Sequence, residues 1–152
     1  MHGPIEQELD ELYRELILDH YRRPRNTDLL PDAQHKAEGF NPFCGDQVNL
    51  QVMVDAGGTI EAVGHQGKGC SISQASASML TEILKGKSLE EARATSDAFR
   101  RLLRGEEVEE SELNALGDVG ALQGVRRFPI RIKCALLPWT TMEEALEQGK
   151  QG

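Results

Sequence analysis

The chain has 152 residues, 39% hydrophobic and 28% charged, and carries a formal net charge of −8. That length fits a single domain, residues 1–152, large enough to bury a core without disulfide support. The negative charge disfavours nucleic acid and anionic membrane surfaces as partners, and no run approaches the ~18–20 apolar residues that cross a bilayer.

Ile5, Leu9, Leu12, Tyr13, Leu16 and Ile17 recur at helical spacing, so residues 5–21 read as a helix that Pro24 closes. Residues 24–35 read as an ordered loop and 36–40 as a short strand. Val48, Leu50, Val52 and Val54 alternate with Gln47, Asn49, Gln51 and Met53, the period of a strand with one buried face. Ala56-Gly57-Gly58 is a turn, and residues 59–65 return as the second arm of a hairpin.

Residues 71–84 form a helix rich in Ala and Ser, stopped by Gly86. Ser88 and Glu91 make a capping box for another short helix, and helical character continues over 97–104. Residues 105–112 read as a solvated acidic stretch and 114–124 as a turn-like piece. A last helix spans 129–146. Pro138 is expected to kink or split it, with Thr141 capping the second part. The fold class is α+β: a small three-stranded antiparallel sheet packed against several helices.

Three cysteines carry the chemical signal. Cys44 lies in Asn41-Pro42-Phe43-Cys44-Gly45-Asp46, Cys70 between a strand and a helix start, and Cys134 near the start of the last helix. Three thiols cannot all pair, which points to a reducing compartment. Residues 1–12 are acidic and show no secretory signal, so the chain reads as cytoplasmic.

A single cysteine is most often a small buried hydrophobe. These three have more specific surroundings. Gly45 and Gly69 remove bulk beside two of them, and the helix start after Cys70 favours a thiolate, as do Lys68, Arg131 and Lys133. With Asp46, the three thiols make a Cys3Asp set suited to Zn2+. No C-x-x-C pair supports this by spacing, Asp46 alone is more often a turn residue, and His35 and His65 are rival fourth ligands.

Four segments carry a further signal: residues 12–24 (LYRELILDHYRRP), 41–46 (NPFCGD), 67–73 (GKGCSIS) and 131–139 (RIKCALLPW). Together they resemble the IscU/SufU family of iron–sulfur cluster assembly proteins, most closely its SufU branch. Lys133 stands where IscU proteins usually have histidine, and residues 93–114 correspond to a SufU-type insertion. The resemblance implies metal ligands at Cys44, Asp46, Cys70 and Cys134, a sulfur acceptor at Cys44, and a tuning role for Arg131. It implies a zinc-dependent sulfurtransferase that takes persulfide sulfur from a cysteine desulfurase of the SufS type and passes it to downstream scaffold or acceptor proteins. The alternative is a scaffold holding iron or a transient iron–sulfur cluster, against which Lys133 counts. A purely structural zinc domain is the third reading.

Overall fold

The computed structural model describes residues 4–42 and 44–151, with side chains from Tyr13 to Glu147; Phe43 and the side chains of Ile5, Leu9 and Leu12 lie outside the described residues. The first helix, α1, spans Pro4–Arg22. A loop leads to three strands: β1 (His35–Asn41), β2 (Asp46–Val54) and β3 (Ile60–Lys68), paired antiparallel in the order β1-β2-β3. Then follow α2 (Ser71–Leu84), α3 (Leu89–Leu103), α4 (Glu110–Leu116), a 3-10 segment (Gly117–Arg127) and α5 (Pro129–Gln151).

The alternation of β2 puts Val48, Leu50 and Val52 on one buried face. Helix α5 covers β1 and β2, α2 packs against α5 and β3, and α1 lies on α2. Between these layers sit Leu50, Ile60, Met79, Leu80, Leu84, Met142 and Leu146. Phe99 of α3 tilts against Trp139 of α5 with ring centroids 5.4 Å apart, an aromatic pair that adds about 0.5–1.5 kcal/mol beyond its buried area. The indole N–H of Trp139 donates to the Ser76 hydroxyl at 3.2 Å, so its polar end is satisfied in the interior.

The expected elements are present, with four differences. Strand β3 runs to Lys68 rather than His65, because Val48 and Gln47 pair with Gly67 and Lys68; backbone pairing needs no side chain and extends through Gly67. Helix α3 is one 15-residue helix, not a short one. Its capping box is formed by Glu91 N–H on Ser88 Oγ (3.1 Å) and Ser88 N–H on Glu91 Oε1 (3.0 Å). It buries Ala98, Phe99, Leu102 and Leu103, so this stretch of the chain is part of the core.

The acidic stretch is helical from Glu110, since Glu109 and Glu112 form a capping box of their own. Glu112 also pairs with Arg101, and that hydrogen bond holds its carboxyl below the ordinary range. Finally, α5 continues unsplit through Pro138. Buried Ala135, Trp139 and Met142 anchor both sides of the proline, and the Ser76 hydroxyl donates to the Ala135 carbonyl at 2.6 Å, one turn before it. Thr141 caps nothing; its buried hydroxyl donates to the Leu137 carbonyl at 2.7 Å.

Candidate metal centre

The hairpin between β1 and β2 is short. Asn41 pairs with Asp46, so the loop holding Cys44 is pinched between two paired strand ends. Gly45 in that loop has φ +69°, a left-handed conformation that side chains rarely adopt. This loop meets the first turn of α2 and the first turn and a half of α5.

Cys134 comes from α5 and is fully buried. Its sulfur lies 3.4 Å from that of half-buried Cys44, and the Asn41 amide approaches it at 3.9 Å. The ligand atoms of Cys44, Asp46 and Cys134 all lie within 4.8 Å of one another.

Asp46 is fully buried. Its Oδ1 accepts the backbone N–H of Cys70 at 2.9 Å, and its Oδ2 has no hydrogen-bond partner. A buried carboxylate oxygen without a partner is costly in a folded protein; a cation is the chemistry that offsets that cost. Cys70 caps α2 without a side-chain hydrogen bond to the helix end. Its thiol is half-buried and lies 3.9 Å from the Ser73 hydroxyl. It sits outside the mutually close trio but near enough to Cys134 to act on its ionisation.

Gly69 explains how Asp46 and Cys70 come together. Its φ is +151°, and a Cβ there would fall 2.3 Å from Asp46 Oδ1 and 2.8 Å from Ser73 Oγ. The space a side chain would fill is occupied by the aspartate carboxylate. Gly45 differs: a Cβ there would meet nothing within 4 Å, so its backbone angle alone favours glycine.

Burial pushes the Cys134 thiol well above the ordinary range, and hydrogen bonding of the thiol toward Asp46, Cys44 and Cys70 pushes the same way. A divalent cation reverses that preference, because it binds the thiolate. The donor set therefore fits a thiophilic metal such as zinc: three sulfurs, and a buried carboxylate oxygen with no other partner.

The rival histidines are engaged elsewhere. His35 Nδ1 lies 3.3 Å from the Ala145 carbonyl and His65 Nε2 lies 2.9 Å from the Arg25 carbonyl. Arg131 is exposed on α5, and its guanidinium makes no hydrogen bond or ion pair among the described residues. Asn41, beside Cys134, was not singled out from sequence, although it opens the same six-residue motif. Around the site, Phe40, Phe128 and Ile130 are each at least 60% exposed.

The profile of the NifU-like N terminal domain matches residues 12–135. The chain is 44% identical over 144 residues to the zinc-dependent sulfurtransferase SufU of Bacillus subtilis, covering 95% of each chain. It is 39% identical over 140 residues to the iron–sulfur cluster assembly scaffold protein IscU of Streptococcus pyogenes, covering 92% of this chain and 86% of that one. Among solved structures it resembles a putative iron–sulfur cluster assembly scaffold protein for the SUF system from Fervidobacterium islandicum. That likeness has 35% identity and a TM-score of 0.79, and covers 87% of this chain and 94% of that one. Among the described residues no helix is long and apolar enough to cross a membrane.

Proposed function

This chain belongs to the NifU-like N-terminal domain family, and from that membership we propose that it serves iron–sulfur cluster assembly as a zinc-dependent acceptor and carrier of persulfide sulfur. Cys44, Asp46, Cys70 and Cys134 are the residues that hold the metal. Bound zinc keeps the thiols ionised at neutral pH, which is the chemistry it supplies here. The observation that carries the reading is the buried Asp46 Oδ2, outside any hydrogen bond, on a carboxylate that has an oxygen within 4.8 Å of the Cys44 and Cys134 sulfurs.

Cys44 is the acceptor. It is half-exposed on a hairpin loop, whereas Cys134 is sealed in a helix. The Cys44 thiolate attacks the outer sulfur of a persulfide on a cysteine desulfurase. A new S–S bond forms on Cys44, the partner's S–S bond breaks, and the partner's cysteine leaves as a thiolate. Electrons balance without an added oxidant. Exposed Phe40, Phe128 and Ile130 around the mouth supply apolar area for docking the desulfurase. Exposed Arg131 offers a cation beside the site that steadies the partner's anionic leaving sulfur. A SufS-type desulfurase and a downstream scaffold are the partners of this reading, with the cytoplasm as its compartment.

The test is sulfur transfer from a SufS-type desulfurase and free cysteine, with iron omitted. Labelled sulfur should accumulate on Cys44, and Cys44→Ser should abolish it, because a serine hydroxyl is not ionised at neutral pH. If the wild-type zinc protein takes up no persulfide but builds and donates an iron–sulfur cluster, it is a scaffold instead.

A further inference from the structure

A second group of ligating side chains lies away from the thiols, where α1, α2 and the 3-10 segment meet. His20 of α1 is only 1% exposed. Its Nε2 faces Asp118 Oδ2 at 3.3 Å and Glu82 Oε1 at 3.7 Å, and both carboxylates are about half exposed. The three ligand atoms lie within 4.8 Å of one another. Glu82 is twelve residues along α2 from Cys70, roughly 18 Å of helix, so this group is separate from the thiol site.

We propose that His20, Glu82 and Asp118 form a second site for a divalent first-row cation such as zinc, which clamps α1 onto α2 and the 3-10 segment. Two geometric facts carry this. The first is spacing. The Asp118 contact at 3.3 Å is a long hydrogen bond, and the Glu82 contact at 3.7 Å lies beyond hydrogen-bond reach. Donors bound to one zinc at ~2.0–2.2 Å in a tetrahedron stand roughly 3.4 Å apart, close to the 3.3 and 3.7 Å that separate Nε2 from the two carboxylate oxygens.

The second fact is the far side of the ring. His20 Nδ1 lies 2.8 Å from the Ser78 hydroxyl, which also accepts the Arg25 backbone N–H at 2.9 Å. Ser78 on one side and the carboxylates on the other hold the ring between them, so Nε2 is kept facing Asp118 and Glu82. A hydrogen-bond partner on Nδ1 orients the ring, as the outer partners of metal-binding histidines do, and the hydroxyl can accept from Nδ1 when Nε2 takes a cation. The half-exposed carboxylates leave the fourth position open to water. Arg25 lies 3.9 Å from Glu82 but makes its closer contact, 2.5 Å, with Asp19. Glu82 is therefore the weaker of the two acidic ligands.

Protein carrying one equivalent of zinc is titrated with Co2+, and separately with Zn2+ in equilibrium dialysis. A second equivalent should bind, and its cobalt spectrum should lack sulfur-to-metal charge transfer because no thiol is present. Asp118→Asn should weaken that equivalent by more than about tenfold, and Glu82→Gln by less. Both are surface changes that should keep the fold by circular dichroism and leave the thiolate-bound equivalent intact. Added cation should raise the melting temperature of the wild type but not of Asp118→Asn. Binding that stops at one equivalent overturns the site. So does a second equivalent that survives Asp118→Asn or shows a thiolate band. Loss of the thiolate-bound equivalent alone would count against the Cys3Asp reading and leave this one standing.

Discussion

The sheet has two hairpin turns, each with an aspartate at a strand end. Asp55, between β2 and β3, spends its carboxylate on its own loop: Oδ1 accepts the N–H groups of Gly57 (2.9 Å) and Thr59 (3.0 Å). The backbone closes the same turn, with Asp55 N–H on the Thr59 carbonyl and Gly58 N–H on that of Asp55. Asp46, between β1 and β2, instead reaches out of its hairpin to the Cys70 N–H and keeps its other oxygen without a partner. One turn is complete by itself. The other leaves one carboxylate oxygen unused. The difference lies in where each carboxylate is used: within its own turn at Asp55, and toward the α2 start and the thiols at Asp46.

The largest expected effect comes from removing the metal, which should uncouple the two turns. At zinc a thousandfold above its dissociation constant, binding stabilises by about 4 kcal/mol. Chelation should then lower the melting temperature by about 8–16 °C for a domain of this size. Asp46→Asn should shrink that zinc-dependent rise while leaving the zinc-free protein as stable as wild type or more so, since it removes a buried charge. Scanning calorimetry with and without chelator checks both; identical apo and zinc transitions would falsify the Cys3Asp assignment.

Gly69→Ala comes next. The new Cβ must displace the Asp46 carboxylate and adopt a strained φ, at a cost of about 1–3 kcal/mol. Chemical denaturation should show that loss, and zinc affinity should fall with it. Unchanged zinc affinity would mean that the carboxylate does not ligate.

Asp55→Ala is the control on the self-satisfied turn. It should cost about 0.5–1.5 kcal/mol for each hydrogen bond lost and leave zinc binding and sulfur acceptance unchanged. A change in metal affinity would show that the two turns communicate through β2.

The smallest effect is one of pH. Burial lowers the His65 pKa from its ordinary 6.5, outweighing its hydrogen bond to the Arg25 carbonyl. With the folded value depressed, the unfolded chain takes up the proton first. Stability is therefore full above about pH 6.5 and declines as pH falls through the window below it. Denaturation midpoints between pH 7.5 and 5.5 should show this slope, and His65→Gln should flatten it. A slope unchanged in His65→Gln would assign the effect to another group.

Much of this was legible in the chain itself, because periodicity and end signals are local. The alternation from Gln47 to Val54, the Ser88–Glu91 capping box and the small-residue helix after Cys70 each depend on neighbours a few residues apart. The three cysteine motifs likewise named the thiols and Asp46. What is not local was decided by tertiary contact. Helix α5 runs through Pro138 because buried side chains on both sides of the proline outweigh a lost hydrogen bond. The acidic 105–112 stretch becomes partly helical once Arg101 of α3 meets Glu112. Gly69 reads in sequence as open space for a ligand, but the fold fills that space with the Asp46 carboxylate. The distance between Cys44 and Cys134, the partners that hold His35 and His65, and the meeting of His20 with Asp118 all join residues 40 or more positions apart. Sequence pattern sets which side chains are available within each element. Packing of the sheet, α2 and α5 sets which of them meet, and so which oxygen is left for a metal.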